Sequence, residues 1–196
     1  MSIKIFGGLA KSHSLKTPPE TITRPTSILL RRKMFDYKQN WDKEIFVDAC
    51  AGSGAMGLEA WSRGAEKVLF IEANAKAFKV LQDNLRLIKN KFPQEVRERS
   101  LEAVHKPFQK YCQNQRPFEG SVTVFVDPPY EKHELYNEII ELLCTDFPVS
   151  VTIWVETDKH SGPDLEQLAL VKYGFVNVKT AKQGNHRIGV FKREEN

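Results

Sequence analysis

The sequence predicts an α/β fold, a doubly wound, mostly parallel seven-stranded sheet that ends in a C-terminal antiparallel hairpin and follows a short basic N-terminal arm. Three stretches predict it. The apolar run 45–47 leads into Asp48, a glycine-rich turn and a helix from Ala55, an order that binds a nucleoside at the carboxyl end of a first strand. A second apolar run, 122–126, ends in Asp127-Pro128-Pro129-Tyr130. Near the C-terminus, two β-rich runs at 175–179 and 187–191 flank Gln183-Gly184-Asn185 and read as a hairpin.

Composition sets the frame for these elements. The 196 residues suit one domain, here residues 26–196, behind an arm of residues 1–25. A hydrophobic share of 41% and a charged share of 28% describe an ordinary soluble globular protein. No apolar run reaches membrane-span length, and the N-terminus has no signal-peptide core. Cys50, Cys112 and Cys144 are widely spaced, which argues against a disulfide framework or zinc and suits a reducing cytoplasm. Residues 1–35 hold seven Lys or Arg against Glu20 alone, while the remainder is nearly balanced. A basic arm on a near-neutral body is the footprint of a nucleic-acid binder.

The elements follow in order. Residues 1–25, with Gly7-Gly8, Pro18-Pro19 and Pro25, read as irregular, with 3–6 extended. Thr26 or Ser27 caps a helix to about Tyr37, and the helix from Ala55 closes at Gly64. A second strand at 67–71 ends at Glu72, and Asn74 caps a helix carrying Phe78, Leu81, Leu85 and Ile88 at helical spacing. A third strand is expected at 95–99, then a helix from Leu101 that Pro107 interrupts. After the strand that meets Asp127 come a helix near 135–144 and a fifth strand at 149–155, ending at Glu156.

The chemistry concentrates at strand ends. Gly52 and Gly54 let the backbone approach a ligand closely, and the helix after them offers free N–H groups. Glu72, 18 residues beyond Gly54, can accept both hydroxyls of a ribose, as in dinucleotide enzymes also. Three features favour S-adenosylmethionine over NAD. Asp48 can reach a cofactor amino group, no second glycine fingerprint exists, and the Asp-Pro-Pro-Tyr strand is expected beside the first. The prolines hold a rigid turn that can aim the Asp127 carboxylate and Pro128 carbonyl at one amino group while Tyr130 stacks on its ring. His13, His105, His133, His160 and His186 are scattered and read as surface or satisfied residues. Cys50 and the three tryptophans read as packing.

These motifs resemble the amino-directed methyltransferases, and among them the RsmD-like family that methylates guanine N2 in bacterial 16S ribosomal RNA. The resemblance rests on Ile5-Phe6-Gly7-Gly8 with Leu15, on Arg24-Pro25-Thr26 with Arg31 and Phe35, and on residues 48–57, Glu72, 127–130 and Gly184. It implies a class I methyltransferase fold with S-adenosylmethionine as cofactor, held by Asp48, Ala51, Gly52, Ser53, Gly54, Glu72 and Ala73. The catalytic turn would be Asp127, Pro128, Pro129 and Tyr130, and the RNA contacts Lys4, Gly8, Lys11, Lys16, Arg24, Thr26 and Arg31. The implied partner is 16S rRNA or a small-subunit assembly particle, met by a cytoplasmic monomer without metal or membrane. Ile28 and Leu29 depart from the family's usual polar residues. Ser100-Leu101 stands where many such enzymes place an acidic or amide residue beside adenine, which leaves adenine recognition unassigned.

The expected reaction is direct in-line transfer to a base that is flipped out or already unpaired. Asp-Pro-Pro-Tyr specifies an amino target rather than guanine, so adenine-N6 methylation of DNA or RNA stays open. A NAD-dependent oxidoreductase and a catalytically silent RNA-binding module are the remaining alternatives.

Overall fold

The central strand, β3 (Glu44–Asp48), lies between β4 (Lys67–Glu72) and β6 (Ser121–Val126), both parallel to it. The computed structural model describes residues 2–19, 26–113, 118, 120–147 and 150–194. Beyond β4 lies β5 (Ser100–His105); beyond β6 lie β7 (Thr152–Asp158), β9 (His186–Arg193) and β8 (Phe175–Gln183), in that order. The last two are antiparallel, so the sheet is the expected seven-stranded one with an inverted edge. The hairpin turn is Gly184-Asn185, with Gly184 at φ 59°.

The interior strands of the sheet are buried on both faces. In β4 the side chains alternate: Val68 and Phe70 face one apolar layer, Leu69 and Ile71 the other. The first layer holds α1 (Ile28–Tyr37), α2 (Ala55–Ser62), α3 (Ala75–Lys91) and α4 (Pro93–Glu98). The second holds α5 (Phe108–Cys112) and α6 (His133–Asp146). Asn74 caps α3 as expected, its side chain accepting from Lys76 N and Ala77 N at 2.9 and 3.1 Å. Trp41, Trp61 and Trp154 are all fully enclosed, Trp41 and Trp154 packing edge to face beside Phe35 and Phe46. Gly57 lets α2 lie on β4, since a Cβ there would come within 2.3 Å of Phe70 and 2.8 Å of Val68.

The third strand differs from expectation. Residues 95–99 fall mostly in α4, opened by Pro93 at its first turn, where a missing N–H costs nothing. The strand is β5, from Ser100, paired to β4 with Leu101 opposite Val68. As a sheet edge it buries only Leu101, so it lacks the apolar run that marks the interior strands. The helix expected from Leu101 begins instead at Phe108, after Pro107. The fifth strand runs two residues past Glu156 to Asp158, and its expected start at Val149 lies outside the described residues.

The arm is a docked hairpin. β1 (Ser2–Lys4) pairs with β2 (Ser14–Lys16), and Ile3, Ile5, Ala10 and Leu15 join the first apolar layer. Phe6 N donates to Glu59, Leu9 N and Ala10 N reach Ser62, and Lys16 N donates to Asn84. Gly8, at φ 71°, has no room for a side chain because a Cβ would lie 1.8 Å from the Ser62 carbonyl oxygen. Among the described residues, no helix is long and apolar enough to cross a membrane.

Candidate active site

Because β3 and β6 are neighbours, the turns after Asp48 and after Val126 open into one cleft of about 750 Å³. Its walls include 48–53, Glu72, Ala73, 127–130 and Thr26. All the expected cofactor and catalytic residues except Gly54 border it; Gly54 lies just beneath, capping α2 at φ 79°.

The cofactor turn is braced on all sides. Ala51 N donates to Ile71 O, Gly54 N to Ala51 O, and Asn84 Nδ2 to Ser53 O. Glu72 accepts from Gly52 N and Asn74 N, both at 2.7 Å, so its two oxygens are held in place at the cleft wall. One Asp48 oxygen accepts from Gly57 N at 3.2 Å, at the start of α2.

Asp48 and Asp127 border the cleft, and a third carboxyl, Glu156, is buried behind its lining residues Thr26 and Tyr130. Burial raises the pKa of Asp48 from 3.8 to about 7, with Glu72 adding repulsion and the Gly57 N–H opposing. Burial pushes the Asp127 carboxyl well up, and the charges of Glu156 and Asp48 push the same way. Glu156 is raised by burial and moderated by hydrogen bonds from Thr26 and Tyr130. The Cys50 thiol, which borders the cleft, is raised by burial and then by Asp127, so it stays protonated and a poor nucleophile.

This has a measurable consequence for Asp48. Between about pH 4 and 7 the folded protein holds a proton there that the unfolded chain has released. Its contribution to stability is therefore complete below the unfolded value of 3.8 and is lost as pH rises through about 7. By linkage the loss is on the order of 4 kcal/mol. Asp48→Asn should be more stable than the parent at pH 8 without ligand, with the gap closing near pH 4, as read by urea unfolding at both values.

The expected RNA contacts divide. Lys4, Lys11 and Lys16 are exposed, Lys16 at 3.2 Å from Asp83. Thr26 lies in the cleft wall with its hydroxyl on Glu156. Arg24 lies outside the described residues. One placement corrects the expectation. Arg31 is fully buried, donating from Nη2 to Lys4 O and lying 4.6 Å from the Phe6 ring, so it fastens the arm to α1 and cannot touch RNA. Gly8 is exposed, and it lies close against the backbone of α2 at Ser62.

Other residues of the site were missed. Pro107, Phe108 and Gln109 line the cleft after β5, whereas Ser100-Leu101 opens that strand at the far end. The misplaced third strand hid them. His186 is satisfied, as expected, but its partner is a cleft residue: Nδ1 lies 3.0 Å from Tyr130 Oη. Glu156 was visible only as the end of a strand.

Comparison with known proteins agrees with this geometry. The family model described as Conserved hypothetical protein 95 matches residues 3–192. Ribosomal RNA small subunit methyltransferase D of Haemophilus influenzae is 31% identical over 162 residues, 80% of this chain and 79% of that protein. The Escherichia coli protein of the same name is 32% identical over 167 residues, 82% and 77% of the two chains. The structure of Escherichia coli yhhF, described as a methyltransferase, superposes with a TM-score of 0.78 at 25% identity over 99% of each chain. The Thermus thermophilus 16S rRNA N2 methyltransferase RsmC, solved with AdoMet and guanosine, shares the fold at a TM-score of 0.71 and 14% identity, over 99% of this chain and 50% of that one. With a model spanning nearly its whole length and relatives above 30% identity, the chain belongs to the Conserved hypothetical protein 95 family, the RsmD family of S-adenosylmethionine-dependent methyltransferases.

Proposed function

We propose that this enzyme transfers a methyl group from S-adenosylmethionine to the exocyclic N2 amino group of a guanine in small-subunit ribosomal RNA. The observation that carries the reading is the meeting of the glycine turn and Asp127-Pro128-Pro129-Tyr130 in one acidic cleft. The names of the relatives supply the RNA class.

The cleft fits the cofactor. Gly52, at φ 54°, and Gly54 keep side chains off the turn, and Glu72 is braced to face a ribose. The charges of Glu156 and Asp48 press on Asp127, and that of Glu72 on Asp48, an arrangement that favours a ligand carrying positive charge. S-adenosylmethionine supplies such a charge and an electrophilic methyl group.

The chain's own residues handle the nucleophile. An exocyclic amino nitrogen is weak because its lone pair is delocalised into the base. Asp127 and the Pro128 carbonyl accept its two N–H groups and so favour a tetrahedral nitrogen with a free lone pair. Tyr136 Oη donates to Glu156 O at 2.8 Å and lies 3.2 Å from Pro128 O, which keeps that carbonyl free to accept from the base. In its ionised form, favoured by a positively charged ligand beside it, the Asp127 carboxylate takes the proton that the methylated nitrogen must shed, and burial raises its affinity for that proton. Tyr130, its hydroxyl anchored on Glu156 at 3.2 Å, offers its ring to the base. Exposed Lys4 and Lys11 give the arm phosphate contacts, and the partner is small-subunit rRNA, bare or in an assembling particle.

Glu72→Ala tests the cofactor half. Losing charge-assisted hydrogen bonds to ribose should weaken S-adenosylmethionine binding by about 1.5–3 kcal/mol, roughly ten- to a hundredfold. Calorimetry that finds an unchanged dissociation constant would leave Glu72 as a brace for Gly52 and Asn74 only.

A further inference from the structure

Glu156 stands inside β7, almost fully enclosed, and does not itself line the cleft. Its carboxylate nevertheless touches two segments that do. Oε2 accepts from the Thr26 hydroxyl at 2.7 Å, and Oε1 accepts from the Tyr130 hydroxyl at 3.2 Å. Tyr130 has one proton to give, so with Glu156 as its acceptor it accepts in turn from His186 Nδ1–H at 3.0 Å. The Glu156 carbonyl meanwhile accepts from Tyr136 Oη, 2.8 Å away, which also lies 3.2 Å from Pro128 O.

One residue thus ties Thr26, just before α1, to the catalytic turn and, through Tyr130, to His186 at the start of β9. Thr26 is separated from Glu156 by 130 positions and Tyr130 by 26. A buried carboxylate is a costly way to fill space, because an apolar side chain of similar size would avoid the desolvation penalty. A second carboxylate, Asp127, lies near enough to be perturbed by it, which raises that cost. What a carboxylate provides and an apolar group cannot is simultaneous acceptance of two hydroxyls from two separate segments of the cleft lining.

We propose that Glu156 is a positioning residue that clamps Thr26 and Tyr130 in one geometry, so that the wall where the RNA strand enters and the ring that holds the target base are set together. The inference rests on the rRNA-methyltransferase reading of the cleft. The base is aligned against Asp127 only when both hydroxyls are held, and the cofactor turn, braced by Glu72 and Asn84, is independent of the clamp.

The test uses the full chain, S-adenosylmethionine and small-subunit rRNA or subunit particles, with Glu156→Gln, Glu156→Ala, Tyr130→Phe and Thr26→Val. Glutamine keeps one acceptor but presents an amino group to the other hydroxyl, so kcat should fall about tenfold; alanine should lose about a hundredfold. Cofactor affinity should stay within about threefold in both, and the melting temperature of Glu156→Gln should stay near the parent's. In a Tyr130→Phe or Thr26→Val background, Glu156→Gln should cost clearly less than alone, because the shared contact is already gone. Parental kcat and RNA KM in a folded Glu156→Gln would overturn the clamp, as would strictly additive losses across the cycle. Loss of cofactor binding together with transfer would reassign Glu156 to the cofactor site. A parent chain that transfers no methyl to these RNAs would overturn the rRNA reading and this inference with it, a failure distinct from an active parent with unaffected variants.

Discussion

Asp127→Ala should lower methyl transfer by about a thousandfold or more, roughly 4 kcal/mol of transition-state stabilisation, while cofactor affinity changes by no more than a few-fold. The carboxylate stands half-buried in the cleft, none of the described residues donates to its side chain, and its neighbours Glu156 and Asp48 repel it. An acceptor left open on the cleft is held for a donor from outside. Removing it takes away the amino group's partner and also relieves repulsion, so the variant should fold at least as well as the parent. Single-turnover kinetics beside calorimetry separates the outcomes. If cofactor binding disappears with transfer, Asp127 belongs to the cofactor site.

Removing residues 1–23 should strongly destabilise the protein or prevent folding. Ile3, Ile5 and Leu15 are buried to 5% exposure or less in the layer that covers α2 and α3. At about 1.5–3 kcal/mol for each large side chain, the loss is roughly 5–9 kcal/mol, comparable with the whole stability of a typical domain. Arg31 would also lose Lys4 O and the Phe6 ring, leaving a buried guanidinium whose pKa burial already lowers to about 10. Charge substitutions on the arm's surface should behave differently. Lys4→Ala and Lys11→Ala should leave the denaturation midpoint unchanged and remove about 0.7–0.9 each from the logarithmic salt slope of RNA binding. A truncated chain that melts like the parent would contradict the docked hairpin, and an unaltered slope in the lysine variants would take the arm off the RNA.

The interior strands were legible because burial on both faces writes itself as an apolar run: Val122 to Val126 cannot be mistaken for a surface segment. The turns after them were legible because glycine at positive φ and paired prolines have few other uses. The edge strand β5 was not, since Ser100–His105 buries one side chain and follows a helix that a proline opens. Arg31 misled in another way. A basic residue in a basic arm reads as a phosphate ligand, and only the packing of Phe6 and the carbonyl of Lys4 reveal an anchor. The role of Glu156 depends on Thr26, 130 positions away, and no local pattern records such a pairing.

The most direct measurement is nucleoside analysis of small-subunit rRNA, or of the subunit particle, after incubation with the protein and S-adenosylmethionine carrying a labelled methyl group. Label recovered as N2-methylguanosine, and lost with Asp127→Ala, is the result predicted by the joint cleft of Asp48, Glu72 and Asp127. Label recovered as N6-methyladenosine, or no label in any base, would contradict it.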